Sequence, residues 1–95
     1  MAAYVISEVE ILDPDRIDIY RKLAAESIAA YGGRYLVRGG AMDLVEGGPA
    51  PKTLIIVEFP TMAVAKEWYA SPFYAEALKV RHTALERRLI FVEGL

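Results

Sequence analysis

The chain has 95 residues, enough for one domain spanning 1–95, and 55% of them are hydrophobic, so a core can form with some apolar surface to spare. The 11 basic and 13 acidic side chains give a net charge of −2 without a basic stripe, which argues against nucleic-acid binding. Cysteine is absent, which excludes disulfides and thiolate chemistry. No basic-then-apolar leader and no apolar run of roughly 20 residues occurs, so we expect a cytoplasmic protein that does not bind membranes.

The N-terminal third of the chain predicts a strand followed by a helix. Residues 4–11 alternate between two faces, as in a strand. Asp13 can then accept hydrogen bonds from the free backbone amides of a helix, and Pro14 suits the first helical position. Apolar residues recur at helical spacing as far as Tyr31, which buries one face of the helix. Gly32 ends it, because a helix exit favours a residue that tolerates positive φ.

Two further strands follow, separated by a loop. Residues 34–38 alternate as a strand and end in an arginine before a glycine pair. Residues 41–46 are expected to continue this strand briefly or to form a hairpin arm, and the Gly/Pro-rich residues 47–51 to form a loop. Residues 53–59 form the third strand, whose apolar centre is typical of strands buried on both faces.

The C-terminal part predicts an interrupted helix and a last strand. Residues 62–70 form a helix, and Ser71-Pro72 restarts it with a fresh cap and a proline at the first position. Residues 86–93 form the fourth strand. The resulting order, β-α-β-β-α-β, predicts an α+β, ferredoxin-like fold in which the helices cover one face of a four-stranded antiparallel sheet.

Both faces of this sheet are expected to be too apolar for contact with water. One face would carry Tyr4, Ile6, Leu36, Leu54, Ile56, Ile90 and Val92, and the other Val5, Val9, Val37, Ile55, Val57, Leu89 and Phe91. At about 25 cal/mol per Å2 of apolar area, leaving either set exposed would forgo several kcal/mol. A second copy of the sheet is the simplest cover, so we expect a two-fold homodimer.

Several stretches together resemble family 1330 of the domains of unknown function. They are Tyr31–Gly40 (Tyr-Gly-Gly-Arg-Tyr-Leu-Val-Arg-Gly-Gly), Glu58-Phe-Pro-Thr, Trp68-Tyr-Ala-Ser-Pro-Phe-Tyr74 and Arg81. The resemblance implies membership of the dimeric α/β-barrel superfamily, with its antibiotic-biosynthesis monooxygenases, muconolactone isomerases and haem-degrading proteins. It implies a dimer but brings no established activity.

Arg38 and His82 are the candidate catalytic residues. Arg38 follows a buried strand, and its planar guanidinium can clamp a carboxylate or an enolate. The alternative is a strand-end arginine paired with Glu58 or Glu46. His82 is the only histidine and can act as a base near neutral pH. The alternative is an exposed residue favoured by the helix dipole.

An aromatic wall beside the sheet is the candidate ligand-binding surface. The candidate ligand-binding residues are Tyr31, Trp68, Tyr69, Tyr74 and Arg81. Aromatic rings around a few polar groups are typical of small-ligand pockets, although ordinary core packing explains such rings equally well. A general base could come from Glu8, Glu10 or Glu58 if one of them were buried. One histidine without cysteine, and glycines without a phosphate-loop pattern, indicate no metal and no other cofactor.

Two hypotheses remain open on these residues. The first is a small-molecule binding or catalytic dimer with a pocket between sheet and helices that takes a small carboxylate or phenolic ligand. By analogy with the superfamily, its reaction would be proton transfer or cofactor-free oxygenation of a small acid. The second is a non-catalytic module that pairs with itself or with a partner domain.

Overall fold

The computed structural model describes residues 1–95 and contains four strands and three helices. The strands are β1 (Ala3–Ile11), β2 (Arg34–Arg38), β3 (Thr53–Phe59) and β4 (Leu85–Glu93), and the helices are α1 (Pro14–Ala30), α2 (Met62–Ala70) and α3 (Pro72–Ala84). The strands form one antiparallel sheet in the order β2-β3-β1-β4. This topology confirms the predicted α+β, ferredoxin-like fold.

The capping residues that the sequence indicates begin the helices. Asp13 accepts hydrogen bonds through Oδ1 from the amides of Asp15 and Arg16, at 2.9 and 3.3 Å. Ser71 accepts a 3.0 Å bond through Oγ from the amide of Tyr74, so α3 starts anew directly after α2. Each cap satisfies amides that the first turn of a helix leaves free. Helices α1 and α3 therefore begin directly after the capping residues that the sequence indicates.

The segment that joins β2 to β3 has no regular structure, so the predicted arm at 41–46 is wrong. The last backbone hydrogen bond between this end of β2 and β3 is the one that the amide of Gly39 donates to the carbonyl of Leu54, at 2.9 Å. Gly39 then takes a φ of +71°, which turns the chain away from the sheet. Residues 40–50 are all exposed and have no strand beside them to complete a ladder.

A β-bulge interrupts β2 and changes which face its last two residues occupy. Tyr35 pairs with Val57, but Val37 pairs with Ile56, so Leu36 is an extra residue without a partner. Strict alternation places Val37 on the same face as Val57, and this prediction is wrong because the extra residue shifts the register by one. The same shift carries Arg38 to the opposite face from the one that alternation with Tyr35 would give.

The two faces of the sheet differ in what covers them. The inner face, which carries Val5, Val57 and Phe59, contributes to a core closed by the three helices. The outer face has no helix against it, and it carries Tyr4, Ile6, Val37, Leu54, Ile56, Ile90 and Val92. Ile90 is 37% exposed and Val92 is 43% exposed. A row of partly exposed aliphatic side chains therefore covers one whole side of the protein.

None of the three helices combines the length and the apolarity that crossing a membrane requires.

Candidate functional site

A cavity lies between α1 and the inner face of the sheet. Helix α1 packs mainly against α3 and leaves a space above the strands, roofed by Ile17, Tyr20, Ala24 and Ile28. Its floor consists mainly of aliphatic side chains of β1, β3 and β4. Its volume is about 50 Å3, measured as the space open to the centre of a water molecule. One water needs about 10–15 Å3 on that measure, so the cavity accommodates several waters or part of a small ligand.

A wider cleft forms the entrance to this cavity. On the same measure it holds about 500 Å3, and it shares Tyr20, Arg21, Ala24, Tyr35, Thr53 and Ile55 with the cavity lining. Arg38 and Gly39 complete it. Because the bulge in β2 turns Arg38 to the inner face, this arginine stands at the entrance rather than on the outer face.

Two buried phenols and one arginine form a cluster at the other edge of the cavity. The hydroxyls of Tyr20 and Tyr74 hydrogen bond to each other. Both also accept from Nη1 of Arg87, at 2.7 and 2.9 Å. Tyr20 and Arg87 line the cavity, whereas Tyr74 lies fully buried behind them. The cluster ties α1, α3 and β4 together and places a cation beside an apolar space.

Burial sets the protonation of this cluster. Burial raises the pKa of Tyr20 far above its ordinary value, and the neighbouring Tyr74 raises it further, against a smaller opposing effect of Arg87. Burial also acts to lower the pKa of Arg87, but the two phenol oxygens outweigh it and the net shift is upward. At physiological pH Tyr20 is therefore a neutral phenol beside the guanidinium cation of Arg87.

A second arginine and phenol stand together at the entrance. The guanidinium carbon of Arg38 lies 4.2 Å from the centroid of the Tyr35 ring, a cation–π contact. Burial raises the pKa of the Tyr35 phenol, and the charge of Arg38 offsets part of this rise. Glu58, one of the two glutamates considered as a partner for Arg38, instead binds Arg34, with Oε1 2.7 Å from Nε. Arg38 therefore has no carboxylate partner.

The charges that line the cavity and its entrance have one sign. Arg21, Arg38 and Arg87 contribute, and no aspartate or glutamate does. Of the glutamates considered as a base, Glu8 and Glu58 lie on the outer face, with arginine atoms 3.7 and 2.7 Å away respectively. Glu10 is exposed. No carboxylate of this chain therefore reaches the cavity.

Trp68 is held in a fixed orientation against the cavity. Its Nε1–H donates a 2.9 Å hydrogen bond to Oγ of Ser27, whose hydroxyl donates to the carbonyl of Ala24 at 2.8 Å. Its ring lies 4.1 Å from that of Tyr74 and 5.2 Å from that of Phe59, measured between centroids. The indole is thus both part of the core and part of the cavity wall.

A family model described as "Domain of unknown function (DUF1330)" matches residues 2–95. The chain belongs to the DUF1330 family. This confirms the resemblance seen in the sequence. No curated protein matches the chain.

Solved structures similar to this DUF1330 protein share its fold. One is the protein of unknown function RPA0582 from Rhodopseudomonas palustris, with 22% identity, a TM-score of 0.79, and coverage of 99% of this chain and 82% of that one. A dimeric ferredoxin-like protein of unknown function from Thermobifida fusca has 14% identity, a TM-score of 0.63, and coverage of 96% and 89%. An antibiotic biosynthesis monooxygenase has 15% identity, a TM-score of 0.56, and coverage of 100% and 99%.

The DUF1330 chain brings some of the predicted site residues together and separates others. Trp68 lines the cavity, and Arg38 lines its entrance. Tyr69 is 40% exposed and packs edge-on against Phe91, with ring centroids 5.9 Å apart. Tyr31, at the end of α1, does not line the cavity.

Arg81 and His82 lie away from the cavity on α3. Arg81 lines an open depression of about 560 Å3, together with Glu8, Glu10 and Glu86 and with Arg87, which also reaches the cavity. His82 is exposed and lines neither the cavity nor its entrance. Across the whole chain, no three His, Asp or Glu side chains lie close enough together to hold a metal ion.

Three polar residues of the DUF1330 site were not among the predicted site residues: Tyr20, Arg21 and Arg87. A signal existed for Arg87, because alternation places it on the same face of β4 as Leu89, where a charge among apolar residues is unexpected. Tyr20 follows Ile17 at helical spacing and so faces inward. Its contact with a residue 67 positions away has no local signal.

Proposed function

We propose that this protein binds a small organic anion with an apolar body, in the cavity between α1 and the inner face, and that it works as a homodimer. The observation that carries the proposal is the lining of cavity and entrance, with three arginines and no carboxylate, in a chain whose net charge is −2. A cleft lined by one sign of charge raises the local concentration of the opposite ion.

Arg87 supports the binding of an anion because most of its donors are free. Two of its five N–H groups, those on Nη1, bind Tyr20 and Tyr74. Nε and Nη2 donate to no protein atom, and no carboxylate pairs with the guanidinium. A half-buried cation without a counter-ion favours an anion from outside, and a guanidinium fits a carboxylate with two parallel bonds.

The remainder of the lining supports an apolar body for the ligand. Thirteen of the 17 residues that line the cavity are hydrophobic, among them Val5, Val9 and Val57. An apolar cavity with a few convergent polar groups is the usual form of a small-ligand site. The aromatic and aliphatic walls would bury the hydrocarbon part, while the arginines orient the charged part.

The chemistry that these residues support is oxyanion stabilisation rather than general-base catalysis. A guanidinium and a phenol O–H both stabilise developing negative charge on an oxygen. Proton abstraction would need a base, but neither a carboxylate nor His82 lines the cavity. Burial keeps the Tyr20 phenol protonated, so this group can donate a hydrogen bond to an oxyanion but cannot act as a base. Binding, with stabilisation of an enolate or a similar oxyanion where a reaction occurs, is therefore the activity we propose.

The outer face supports the homodimer. Its aliphatic side chains have no cover within the chain, and the similar protein from Thermobifida fusca is described as dimeric. Two outer faces packed together would remove both apolar rows from water, at about 25 cal/mol per Å2. The same observation favours the second candidate function, a non-catalytic self-association module.

Mass measurement tests the dimer. We expect light scattering at micromolar concentration to give twice the chain mass, and Ile90→Glu on the outer face to give the mass of one chain. Ile19→Glu is the matched control, because Ile19 is 51% exposed on α1, away from the sheet. A wild-type protein with the mass of a single chain would refute the homodimer.

Calorimetry tests the binding. The probes are hexanoate, phenylacetate and benzoate at low salt, with hexylamine as a cation of similar apolar size. We expect at least one acid to bind, hexylamine not to bind, and Arg87→Met to weaken the acid about tenfold or more. Arg16→Met, at an exposed position of α1, should leave binding unchanged. A dimer that binds none of the acids would support the self-association module instead.

A further inference from the structure

We infer that the ligand of this cavity carries two acidic oxygen groups, one for each of two arginine–tyrosine pairs at opposite edges of the sheet. The inference rests on the proposed binding of an organic anion and narrows it to a diacid. The pairs are Arg87 with Tyr20 and Arg38 with Tyr35.

The two pairs face the same space from the two edge strands. Arg87 lies on β4 and Arg38 on β2, and both point to the inner face because Arg87 pairs with Val9 and Arg38 with Ile55. Three strand spacings of about 4.8 Å and one same-face step of about 6.6 Å separate their backbones by about 16 Å. Arg87 lines the cavity and Arg38 lines its entrance, and the two spaces share six lining residues. A ligand lying across the strands under α1 would meet one cation at each end.

Each pair offers the donors that a carboxylate accepts. Beside Arg87, the two phenols Tyr20 and Tyr74 have two O–H protons between them. The hydrogen bond between the phenols uses one of these protons. If Tyr74 is the donor, the proton of Tyr20 points to the cavity, which Tyr20 lines and Tyr74 does not. In that arrangement the Tyr20 O–H and the free N–H groups of Arg87 can donate to the same ligand carboxylate.

The pair of Arg38 and Tyr35 repeats this chemistry at the entrance. The guanidinium carbon of Arg38 lies over the ring of Tyr35 and no carboxylate pairs with this cation, so its N–H groups can donate to a ligand. Tyr35 lines both the cavity and the entrance. It lies on β2 before the bulge and Arg38 lies after it, so the bulge is what brings the phenol and the cation to the same face.

The surface between the pairs is apolar, which sets the middle of the ligand. Val9 and Ile55 form its floor, and Ile17 and Ala24 form its roof. Thr53 adds a single hydroxyl. A short hydrocarbon chain between two carboxylates matches this arrangement, whereas a ligand with one acid group would leave one of the two cations without a counter-ion.

Calorimetry with matched acids tests the inference. The diacids glutarate, adipate and pimelate are compared with the monoacids pentanoate, hexanoate and heptanoate at low salt. We expect the best diacid to bind about tenfold more tightly than its monoacid. Arg38→Met should abolish this advantage, because the loss of this cation weakens the diacid, which has a second acid group, more than the monoacid. Arg34→Met, on the outer face of the same strand, should keep the advantage.

The outcomes separate this inference from the proposal on which it rests. Equal binding of monoacids and diacids, or a diacid advantage that persists in Arg38→Met, would overturn the two-ended ligand while leaving anion binding in place. No binding of any acid would overturn both. Tyr35→Phe is a second variant with the cation retained, and we expect it to reduce the diacid advantage.

Discussion

Replacing Ser27 by alanine tests how the cavity wall is held in place. Ser27 is fully buried, and its Oγ is the acceptor for the indole N–H of Trp68, at 2.9 Å. The substitution removes one oxygen and creates almost no cavity. Its main effect is that the N–H of Trp68, a residue only 2% exposed, loses its hydrogen-bond partner away from water.

The expected cost follows from the loss of that partner. Leaving a buried donor unsatisfied destabilises a protein by about 1–3 kcal/mol. For a domain of this size, each kcal/mol lowers Tm by about 4–8 °C, so Ser27→Ala should lower Tm by about 5–20 °C. Thr83→Ala is the matched control, because Thr83 also donates to a carbonyl three residues earlier, at 3.0 Å, but in an exposed position. Its effect should stay within about 0.5 kcal/mol.

Urea unfolding followed by circular dichroism, at one fixed protein concentration, measures both variants. The decisive comparison repeats Ser27→Ala in a Trp68→Phe background, where no indole N–H needs an acceptor. There the serine substitution should cost no more than the Thr83 control. Additive losses of stability in the double variant would show that the hydrogen bond between Ser27 and Trp68 does not carry the effect.

Three further predictions follow from the geometry. Gly33→Ala should lower the free energy of unfolding in urea by about 1–3 kcal/mol, because the added Cβ would lie 2.7 Å from Cε1 of Phe59. Gly40→Ala is the control and should show no such loss, because no atom lies within 4 Å of its Cβ. Burial raises the pKa of Tyr20, so the folded state keeps a proton that the unfolded chain releases above about pH 10. Stability should therefore fall as pH rises beyond that value. Thermal melts between about pH 8 and 11 should show a smaller decrease of Tm with pH in Tyr20→Phe than in the wild type. An equal decrease in both proteins would contradict a raised pKa of Tyr20. Glu58→Gln breaks a partly exposed ion pair with β2 and should change the free energy of unfolding by less than about 1 kcal/mol, with a larger change pointing to an unrecognised role.

Local chemistry in the sequence predicted most of the fold. Asp13-Pro14 and Ser71-Pro72 both mark helix starts in the structure, because caps depend on residues two or three positions apart. The ends of the strands were placed within one residue, apart from the unpaired arm at 41–46. That arm failed because a strand needs a neighbour, and the composition of a segment does not show whether a neighbour is present.

The site was less accessible to sequence reasoning. Arg38 was identified from its place at a strand end, but its orientation depends on the bulge at Leu36, which no alternation pattern reveals. Arg87 was missed because a charge on a predicted strand is ordinarily assigned to the solvent side. Its partners Tyr20 and Tyr74 lie 67 and 13 residues away, so only the packing of α1 and α3 on β4 brings the three together.

The unpaired Leu36 has an evolutionary consequence. It lies in an edge strand, where losing or gaining one residue disturbs a single neighbour and leaves the other three strands intact. A one-codon deletion there would return β2 to strict alternation and move its terminal arginine to the opposite side of the protein. Relatives with the same overall shape can therefore differ in whether this charge serves the interior or the exterior, and the length of one short strand would distinguish the two groups.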